Sequence, residues 1–410
     1  MKNIIKNLRI KRRMIATFAA MHLYGNPSVQ LKIIGVTGTN GKTTTATLLF
    51  KVAKSLGYKV GLIGTVENII IDEVIPATHT TPDPIQLNRL LSKMVDKGCE
   101  YVFMEVSSHA IDQNRIAGVN FVGGVFTNLT HDHLDYHKSI ENYFLAKKKF
   151  FDFLPAQSFA LTNNDDEHGC IILADTKAQK NTYGFLGSEN FHGNIEKIDF
   201  HGIDLDVNGE KFQTHLLGKF NAYNLISVIS ICKLLGFDMQ KVKEILKNIE
   251  PPRGRFDHFL SDTGVLCVVD YAHTPDALQK IISAILEIKD SNSRLISVFG
   301  CGGDRDPLKR RIMGKIGTQL SDIAILTSDN PRNEDPEKII NEMNTDLSMS
   351  DISKTENITD RRKAIQRAVS LAKKGDIILC AGKGHETYQE IKGVKQHFND
   401  LEELKKAFVS

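Results

Sequence analysis

Two α/β units are predicted for this chain of 410 residues, and three observations predict them. Short β-branched or apolar runs alternate with helical runs from residue 31 to about 185. The same alternation restarts after Pro251-Pro252 and fills the last ~155 residues, enough for a second domain. Between them, over 190–217, apolar residues alternate with Gly and Asp in a different rhythm. Strands separated by helices point to a mostly parallel sheet covered on both faces, and the alternating stretch to a small antiparallel subsheet. A hydrophobic content of 41% and a charged content of 25% are those of an ordinary globular protein. The net charge of +3 is small for this length, so no nucleic-acid or acidic-polymer partner is implied.

Taken in order, the N-terminus comes first. Lys2, Lys6, Arg9, Lys11, Arg12 and Arg13 precede a short apolar run, 14–21, which mimics a signal peptide. That run is followed by His22 and leads into a strand, so an amphipathic helix packed on the next unit is the better reading. A turn follows at Gly25-Asn26-Pro27. Strands are expected at 31–36, 58–63, 101–106, 122–127 and 159–162, with helices at 46–56, 85–97 and 139–151. Helices at 221–235 and 239–249 lead to Pro251-Pro252, a boundary signal, which gives units 1–252 and 253–410. In the second unit, strands are expected at 265–269, 295–299, 323–327 and 377–380. No run approaches the ~18 apolar residues that a membrane span needs. Six cysteines, far apart and mostly inside apolar runs, suggest reduced thiols in a cytoplasmic protein.

The first strand ends in a run of glycines, Gly35, Gly38 and Gly41, and Lys42-Thr43-Thr44 then opens a helix. A strand, a glycine-rich turn and a helix start make a P-loop-type cradle of backbone N–H groups, to which the helix N-terminus adds roughly half a positive charge. Gly38, Thr39, Asn40 and Gly41 would line it, Lys42 would meet the β- and γ-phosphates, and the Thr43 hydroxyl would sit on magnesium. The spacing is G-x-x-G-x-x-G-K-T, because Val36 stands where the strict motif has its first glycine. A glycine turn in any αβ unit is the bland alternative, but such a turn does not need Lys-Thr after its last glycine.

Three further constellations carry chemistry. Glu105 closes a strand, so its carboxylate lies at the carboxyl end of the sheet, where open α/β sheets bind ligands. The segment 127–137 packs His131, His133 and His137 beside Asp132 and Asp135. Zinc is conceivable there, yet an oxygen-rich loop beside a nucleotide is more natural for magnesium. Lys147-Lys148-Lys149 sits among aromatics, and two of the three lysines are expected on a solvated face. A lysine of lowered pKa near cations reacts with CO2 to give an anionic carbamate. In the second unit, Asp329-Asn330-Pro331-Arg332 is either a plain β-turn or an amino-acid reader, with Arg332 forked onto a carboxylate and Asp329 and Glu386 holding an ammonium.

Here a resemblance becomes specific. The stretches GVTGTNGKTTT, TTPDP, MEVSSHA, TNLTHDHLDYH, YFLAKKKFF, GKFNAYN, GRFD, DYAHTPDAL, GCGGDRDPLKR, TSDNPRNEDP and AGKGHETYQ resemble those of the Mur ligases, in family order, from residue 31 to about 390. Those are ATP-dependent amide-bond-forming enzymes of peptidoglycan precursor synthesis, and the likeness is nearest to the branch that adds diaminopimelate. The resemblance implies a P-loop-type central domain followed by a Rossmann-like C-terminal domain. It further implies that Lys42 and Thr43 serve the phosphates and magnesium, with Thr44 beside them, that Glu105 and His133 serve magnesium, and that Lys147 becomes the carbamylated metal-binding lysine. Asn221 and Asn224 match positions on the adenine side, and Arg255 and Asp270 those through which the second unit reaches the nucleotide. Thr80, Thr81, Ser107 and Arg115 match positions that hold the muramoyl dipeptide. Arg305, Asp329, Asn330, Arg332, Gly382 and Glu386 match the diaminopimelate pocket.

The implied reaction joins meso-diaminopimelate to a muramoyl-L-alanyl-D-glutamate acceptor. The acceptor carboxylate attacks the γ-phosphate of ATP, and the amine then attacks the acyl phosphate. His109 or His273 would help position that intermediate, and the two units are expected to close during turnover. A monomer is expected. One departure stands at the front: full-length relatives carry a UDP-gripping domain of roughly a hundred residues, and the glycine turn here starts at Gly35. A short form, an acceptor without UDP, or a separate chain supplying the grip are the readings this leaves. The rival functions are a ligase of the same fold acting on a non-UDP acceptor, as folylpolyglutamate synthases do, and a non-catalytic nucleotide-binding relative. A second departure is His397-Phe398-Asn399-Asp400-Leu401-Glu402 in place of an HFDDRE-like run.

Overall fold

A computed structural model describes residues 22–187 and 189–409. The helix expected over 14–21 lies outside them. The chain folds as two compact units, one of them running to Lys197 and taking in Gly202–Ile249, the other made of Ile198–His201 and Glu250–Ser410.

The first unit is built on one eleven-stranded sheet, of which only the last two residues of one strand, Ile198 and Asp199, are counted with the other unit. Its strands are β1 (Lys32–Thr37), β2 (Val60–Ile63), β3 (Glu67–Ile70), β4 (Glu73–Pro76), β5 (Tyr101–Glu105), β6 (Phe121–Phe126), β7 (Phe159–Asn163), β8 (Gln179–Gly184), β9 (Phe191–Asp199), β10 (Gly202–Val207) and β11 (Glu210–Thr214). The spatial order is β11-β10-β9-β8-β7-β6-β1-β5-β2-β3-β4. The centre is parallel and β1 is flanked by β5 and β6, with Val36 level with Glu105 and Thr37 with Phe126. Ile33, Ile34 and Val36 of β1 are fully buried, each worth roughly 2 kcal/mol of apolar burial. The helices Pro84–Asp96 and Ile140–Asp152 contribute Leu87, Leu91, Met94, Phe150 and Phe151 to one core layer with Ile33, Ile63, Val102 and Met104. The helix Lys42–Ser55 packs on β5, β2 and the helix Lys219–Leu234.

Two features extend the sequence reading. β9, β10 and β11 form the expected antiparallel set, and it is not detached: β9 continues the main sheet through parallel pairs Tyr183↔Phe191 and Gly184↔His192. β3 and β4, in a stretch where the sequence pattern predicts no strand, form an antiparallel edge on β2.

The second unit holds a six-stranded sheet, from β12 (Asp257–Leu260), β13 (Leu266–Asp270), β14 (Leu295–Phe299), β15 (Ile323–Leu326), β16 (Thr355–Asn357) and β17 (Ile377–Ala381). Its order is β12-β13-β17-β14-β15-β16, parallel except for β12, with the hairpin β18 (Tyr388–Ile391) and β19 (Val394–His397) beside it. Asp270 pairs with Ala381, so Tyr271, Gly382, Gly300 and Thr327 all emerge at one carboxyl edge. Ligand sites of such sheets lie along that edge.

Candidate active site

In the first unit, the site grows from the end of β1. Gly38 has φ +150° and Gly41 φ +85°, conformations L side chains rarely adopt. A Cβ on Gly38 would lie 1.9 Å from Thr127 Oγ1, and one on Gly41 would lie 2.5 Å from Asn224 Oδ1. The loop is clamped from the strand beside it. Thr39 N donates to Asn128 O (2.8 Å), Asn40 N to Asn128 Oδ1 (2.9 Å), Thr127 Oγ1 to Asn40 O (2.6 Å) and Thr130 N to Thr39 Oγ1 (3.0 Å). Two other helices of this unit begin with side-chain caps, Asp83 on Ile85 N and Gln86 N, and Ser139 on Asn142 N, whereas Lys219–Leu234 begins at Gly218 without one. The helix Lys42–Ser55 begins at left-handed Gly41 with no side-chain cap, and a helix N-terminus opening from a glycine turn is a geometry suited to an anion.

Glu105, buried at the end of β5, faces that helix start. Its Oε2 accepts from Thr43 Oγ1 (2.9 Å) and Thr65 Oγ1 (3.0 Å), and its Oε1 from Thr65 N (2.7 Å). Thr65 Oγ1 also reaches Thr80 Oγ1 at 3.0 Å. Thr81 Oγ1 donates to the Glu105 carbonyl (2.8 Å) and accepts from Ser107 N (3.1 Å), while Arg115 Nη1 donates to Thr81 O (2.8 Å). Thr80, Thr81, Ser107 and Arg115 therefore form one hydrogen-bonded cluster around Glu105.

Two lysine amines converge on one carbonyl: Gly38 O accepts from Lys42 Nζ (2.9 Å) and Lys147 Nζ (2.7 Å). Lys147 is fully buried, with Nζ 4.5 Å from the centre of the Tyr143 ring. Burial holds its ammonium well below the lysine range, the Lys42 charge pushes the same way, and Asp132 opposes. Burial also lowers His133, with Lys42 and Lys147 adding to that effect against Asp132. His109 packs edge-on against His133 at 4.9 Å, which places the imidazoles beside the cradle. Asn221 and Asn224 are buried and bonded to each other (3.0 Å), Asn224 against Gly41.

In the second unit, the turn after β15 carries Asp329, Asn330 and Arg332. Asp329 and Asn330 are buried, and Asn330 Nδ2 donates to Glu386 Oε2 (2.8 Å). Gly382, with φ +113°, lets Asp329 approach; a Cβ there would lie 2.6 Å from Asp329 Oδ2. Arg332 has φ +51° and donates from Nη1 to Gly303 O (2.7 Å), beside Gly302 and Arg305. Burial raises Asp329, opposed by Arg361 and Lys383. The Arg361–Asp400 pair is wholly buried, and Arg361 also donates to Ser328 O and Ala381 O, tying together the chain ends that carry Asp329 and Gly382. Asp270 accepts from Phe256 N (2.8 Å) and Ala272 N (2.9 Å); burial raises it, opposed by Arg255. Arg255 lies over the Tyr271 ring at 5.1 Å. His273 Nδ1 is 2.8 Å from Tyr271 O, and burial lowers its pKa.

Comparison with known proteins follows the same division. The Mur ligase middle domain matches residues 36–232, and the Mur ligase glutamate ligase domain matches residues 254–384. The chain is 54% identical over 94% of its length to UDP-N-acetylmuramoyl-L-alanyl-D-glutamate--2,6-diaminopimelate ligase of Parabacteroides distasonis, and covers 79% of that protein. This chain belongs to the Mur ligase family. A solved structure of a diaminopimelate ligase of the same name is 35% identical, with a TM-score of 0.70 over 92% of this chain and 78% of its own. The Mur ligase fold extends to folylpolyglutamate synthase of Mycobacterium tuberculosis complexed with ADP and AMPPCP, at a TM-score of 0.71 over 89% of this chain and 91% of that one. At 18% identity that likeness concerns the fold alone.

The sequence places two of the three consecutive lysines in solvent, and only Lys149 is exposed. Lys148 is buried because Asp152, one helical turn on, and Asp175 hold its ammonium at 2.7 and 2.6 Å. No group of three His, Cys, Asp or Glu side chains able to hold a metal occurs among the described residues. Lys383 and Arg361 also contact the turn that carries Asp329; Lys383 lies within AGKGHETYQ without a role assigned to it there, and none of the quoted motifs contains Arg361. Asp400, in the stretch that departs from the family pattern, is the partner of Arg361. No helix among the described residues is long and apolar enough to cross a membrane.

Proposed function

We propose that this chain is the ATP-dependent ligase that joins meso-diaminopimelate to UDP-N-acetylmuramoyl-L-alanyl-D-glutamate through an acyl phosphate, in cytoplasmic peptidoglycan precursor synthesis. The observation that carries the reading is the meeting of Thr43, Glu105, Lys42 and Lys147 around one glycine turn. In it, residues 1–252 bind ATP and the acceptor, and 253–410 bind the amino acid. Gly38, Thr39, Asn40 and Gly41 cradle the phosphates, and Lys42 neutralises charge developing on the transferring group. The absence of any Cβ at Gly38 and Gly41 suits that role, since a methyl there would fill the loop.

The donor set, a hydroxyl, a carboxylate and an imidazole from Thr43, Glu105 and His133, suits magnesium. Bound there, magnesium would supply electrostatic stabilisation to the phosphates. The neutral Lys147 amine is the form that adds to CO2: the nitrogen lone pair forms the N–C bond, a proton leaves, and an anionic carbamate results beside Lys42. Asn221 and Asn224 then serve the adenine side, and Arg255 and Asp270 complete the nucleotide site. Thr80, Thr81, Ser107 and Arg115 orient the acceptor so that its D-glutamyl carboxylate attacks the γ-phosphate. Arg332 and Arg305 take the distal carboxylate of diaminopimelate, and Asp329 and Glu386 its ammonium, with Asn330 and Gly382 shaping the turn. The free amine attacks the acyl carbonyl, and phosphate leaves. A site built around Arg332 discriminates against lysine, which lacks that carboxylate.

The test is phosphate release by the purified protein as a monomer, with the acceptor supplied with or without its UDP. Release that needs ATP, the UDP-linked acceptor and diaminopimelate together is the expected result. Turnover only with a UDP-free acceptor, or only after a UDP-binding chain is added, replaces the acceptor assignment; none at all sinks the enzyme reading. Isotope-labelled bicarbonate should give a carbamate resonance that Lys147→Ala abolishes together with turnover.

A further inference from the structure

Lys383 follows Gly382 beyond β17, and its side chain is wholly buried. Its Nζ lies 3.2 Å from Asn330 Oδ1, 3.1 Å from Glu386 Oε2 and 4.0 Å from Asp329 Oδ1. The reaction described above makes no use of it. An ammonium is costly to take out of water unless it is paired and hydrogen-bonded, and here it is paired with the carboxylates assigned to the substrate's ammonium.

The local geometry shows what the lysine does to them. Asn330 Oδ1 accepts from Lys383 Nζ and from Glu390 N (2.9 Å), which leaves only Nδ2 to donate to Glu386 Oε2. Both donors thus fall on Oε2, and Glu386 Oε1 has no protein donor among the described residues. Asp329 and Glu386 bring two negative charges and Lys383 cancels one. What remains matches one ammonium, while Arg332 on the same turn, held only loosely by Glu390 Oε2 at 3.9 Å from its Nε, can exchange that pairing for one substrate carboxylate.

We propose that Lys383 is the positioning residue that sets the charge of this pocket, so that it takes an amino-acid head bearing both an ammonium and a carboxylate and turns away one bearing an ammonium alone. The inference rests on the amino-acid assignment made under the proposed function. Turnover of the unaltered enzyme with diaminopimelate tests that assignment; only the variants test Lys383.

The experiment compares kcat/KM for diaminopimelate and for lysine in the full chain. Lys383→Met leaves an uncompensated pair of carboxylates, so the preference for diaminopimelate should fall about tenfold, a shift of about 1.4 kcal/mol. KM for ATP and for the acceptor should move less than about twofold, which a general loosening of the fold would not respect. Adding Glu386→Gln to Lys383→Met restores the charge count, and the preference should recover even though KM stays raised. A folded Lys383→Met with unchanged preference overturns the proposal, as does a double variant that recovers none of it. Should Lys383→Met not fold, Lys383→Arg decides. Kept charge should hold the preference within about threefold, and a folded Lys383→Arg that loses it overturns the proposal.

Discussion

Asp400→Ala is the most demanding test of how the second unit holds its site. The Asp400 carboxylate takes both Nε and Nη2 of Arg361 at 2.7 Å, and neither side chain has any exposed surface. Removing one partner of such a pair strands a buried guanidinium with two backbone carbonyls, Ser328 O at 3.4 Å and Ala381 O at 3.0 Å. Breaking a buried pair in this way costs about 3–5 kcal/mol. For a unit of this size, each kcal/mol lowers the melting temperature by roughly 2–4 °C, so the fall should be roughly 6–20 °C. Calorimetry on the intact chain measures it. Arg361→Met with Asp400→Leu, which removes both charges and keeps apolar volume, should recover most of the loss. A single variant within about 1 kcal/mol of the parent, or a double variant no better than the single, would refute the assignment of Arg361 as a desolvated anchor.

Three further outcomes follow from the geometry. Gly38→Ala places a methyl 1.9 Å from Thr127 Oγ1 at a left-handed φ; displacing the loop by even ~1 Å should cut kcat by about 100-fold, far more than the change in melting temperature would suggest. Arg332→Lys keeps the charge and loses the planar fork, so KM for diaminopimelate should rise roughly 10–100-fold with KM for ATP unmoved, as steady-state kinetics would read. Burial lowers His385 from the ordinary 6.5 to about 4, with Arg255 and His273 adding to it. The unfolded chain therefore takes up this proton first as pH falls. Its share of stability is complete above pH 6.5 and is lost between 6.5 and about 4. Denaturant titrations across that range should show a shallower acid loss in His385→Gln.

What could be read from residues alone was governed by range. The glycine turn and its Lys-Thr are a local pattern whose conformation depends on residues a few positions apart; β1 falls within one residue of its expected span, and the helix expected over 46–56 starts earlier, at Lys42 itself. The β3–β4 edge was invisible because its four-residue strands, Glu-Asn-Ile-Ile and Glu-Val-Ile-Pro, carry too few apolar positions to show a period. Lys147, Lys148 and Lys149 are identical letters set about 100° apart around a helix, and their environments come from Gly38, from Asp175 and from solvent. Only the first of these was suggested by motif. Arg361 and Asp400 are 39 residues apart, and nothing in either one's neighbourhood announces the other. Lys383 was hidden for another reason: a lysine in a glycine-rich turn ordinarily points to water, and of the two carboxylates that draw it inward only Glu386 is a sequence neighbour, while Asp329 comes from another strand end.

The seam between β8 and β9 has a practical consequence. Only two residue pairs, Tyr183↔Phe191 and Gly184↔His192, hydrogen-bond across it among the described residues, while β7 and β8 share five. The three-stranded flap thus joins the sheet through a narrow backbone seam, four strands removed from β1, and is held otherwise by side-chain packing on the helices Lys219–Leu234 and Met239–Lys247. Amide exchange in β10 and β11 should outpace that in β6 and β1, and the tip at Asn208-Gly209 is where a reporter peptide can be spliced in without disturbing the glycine turn.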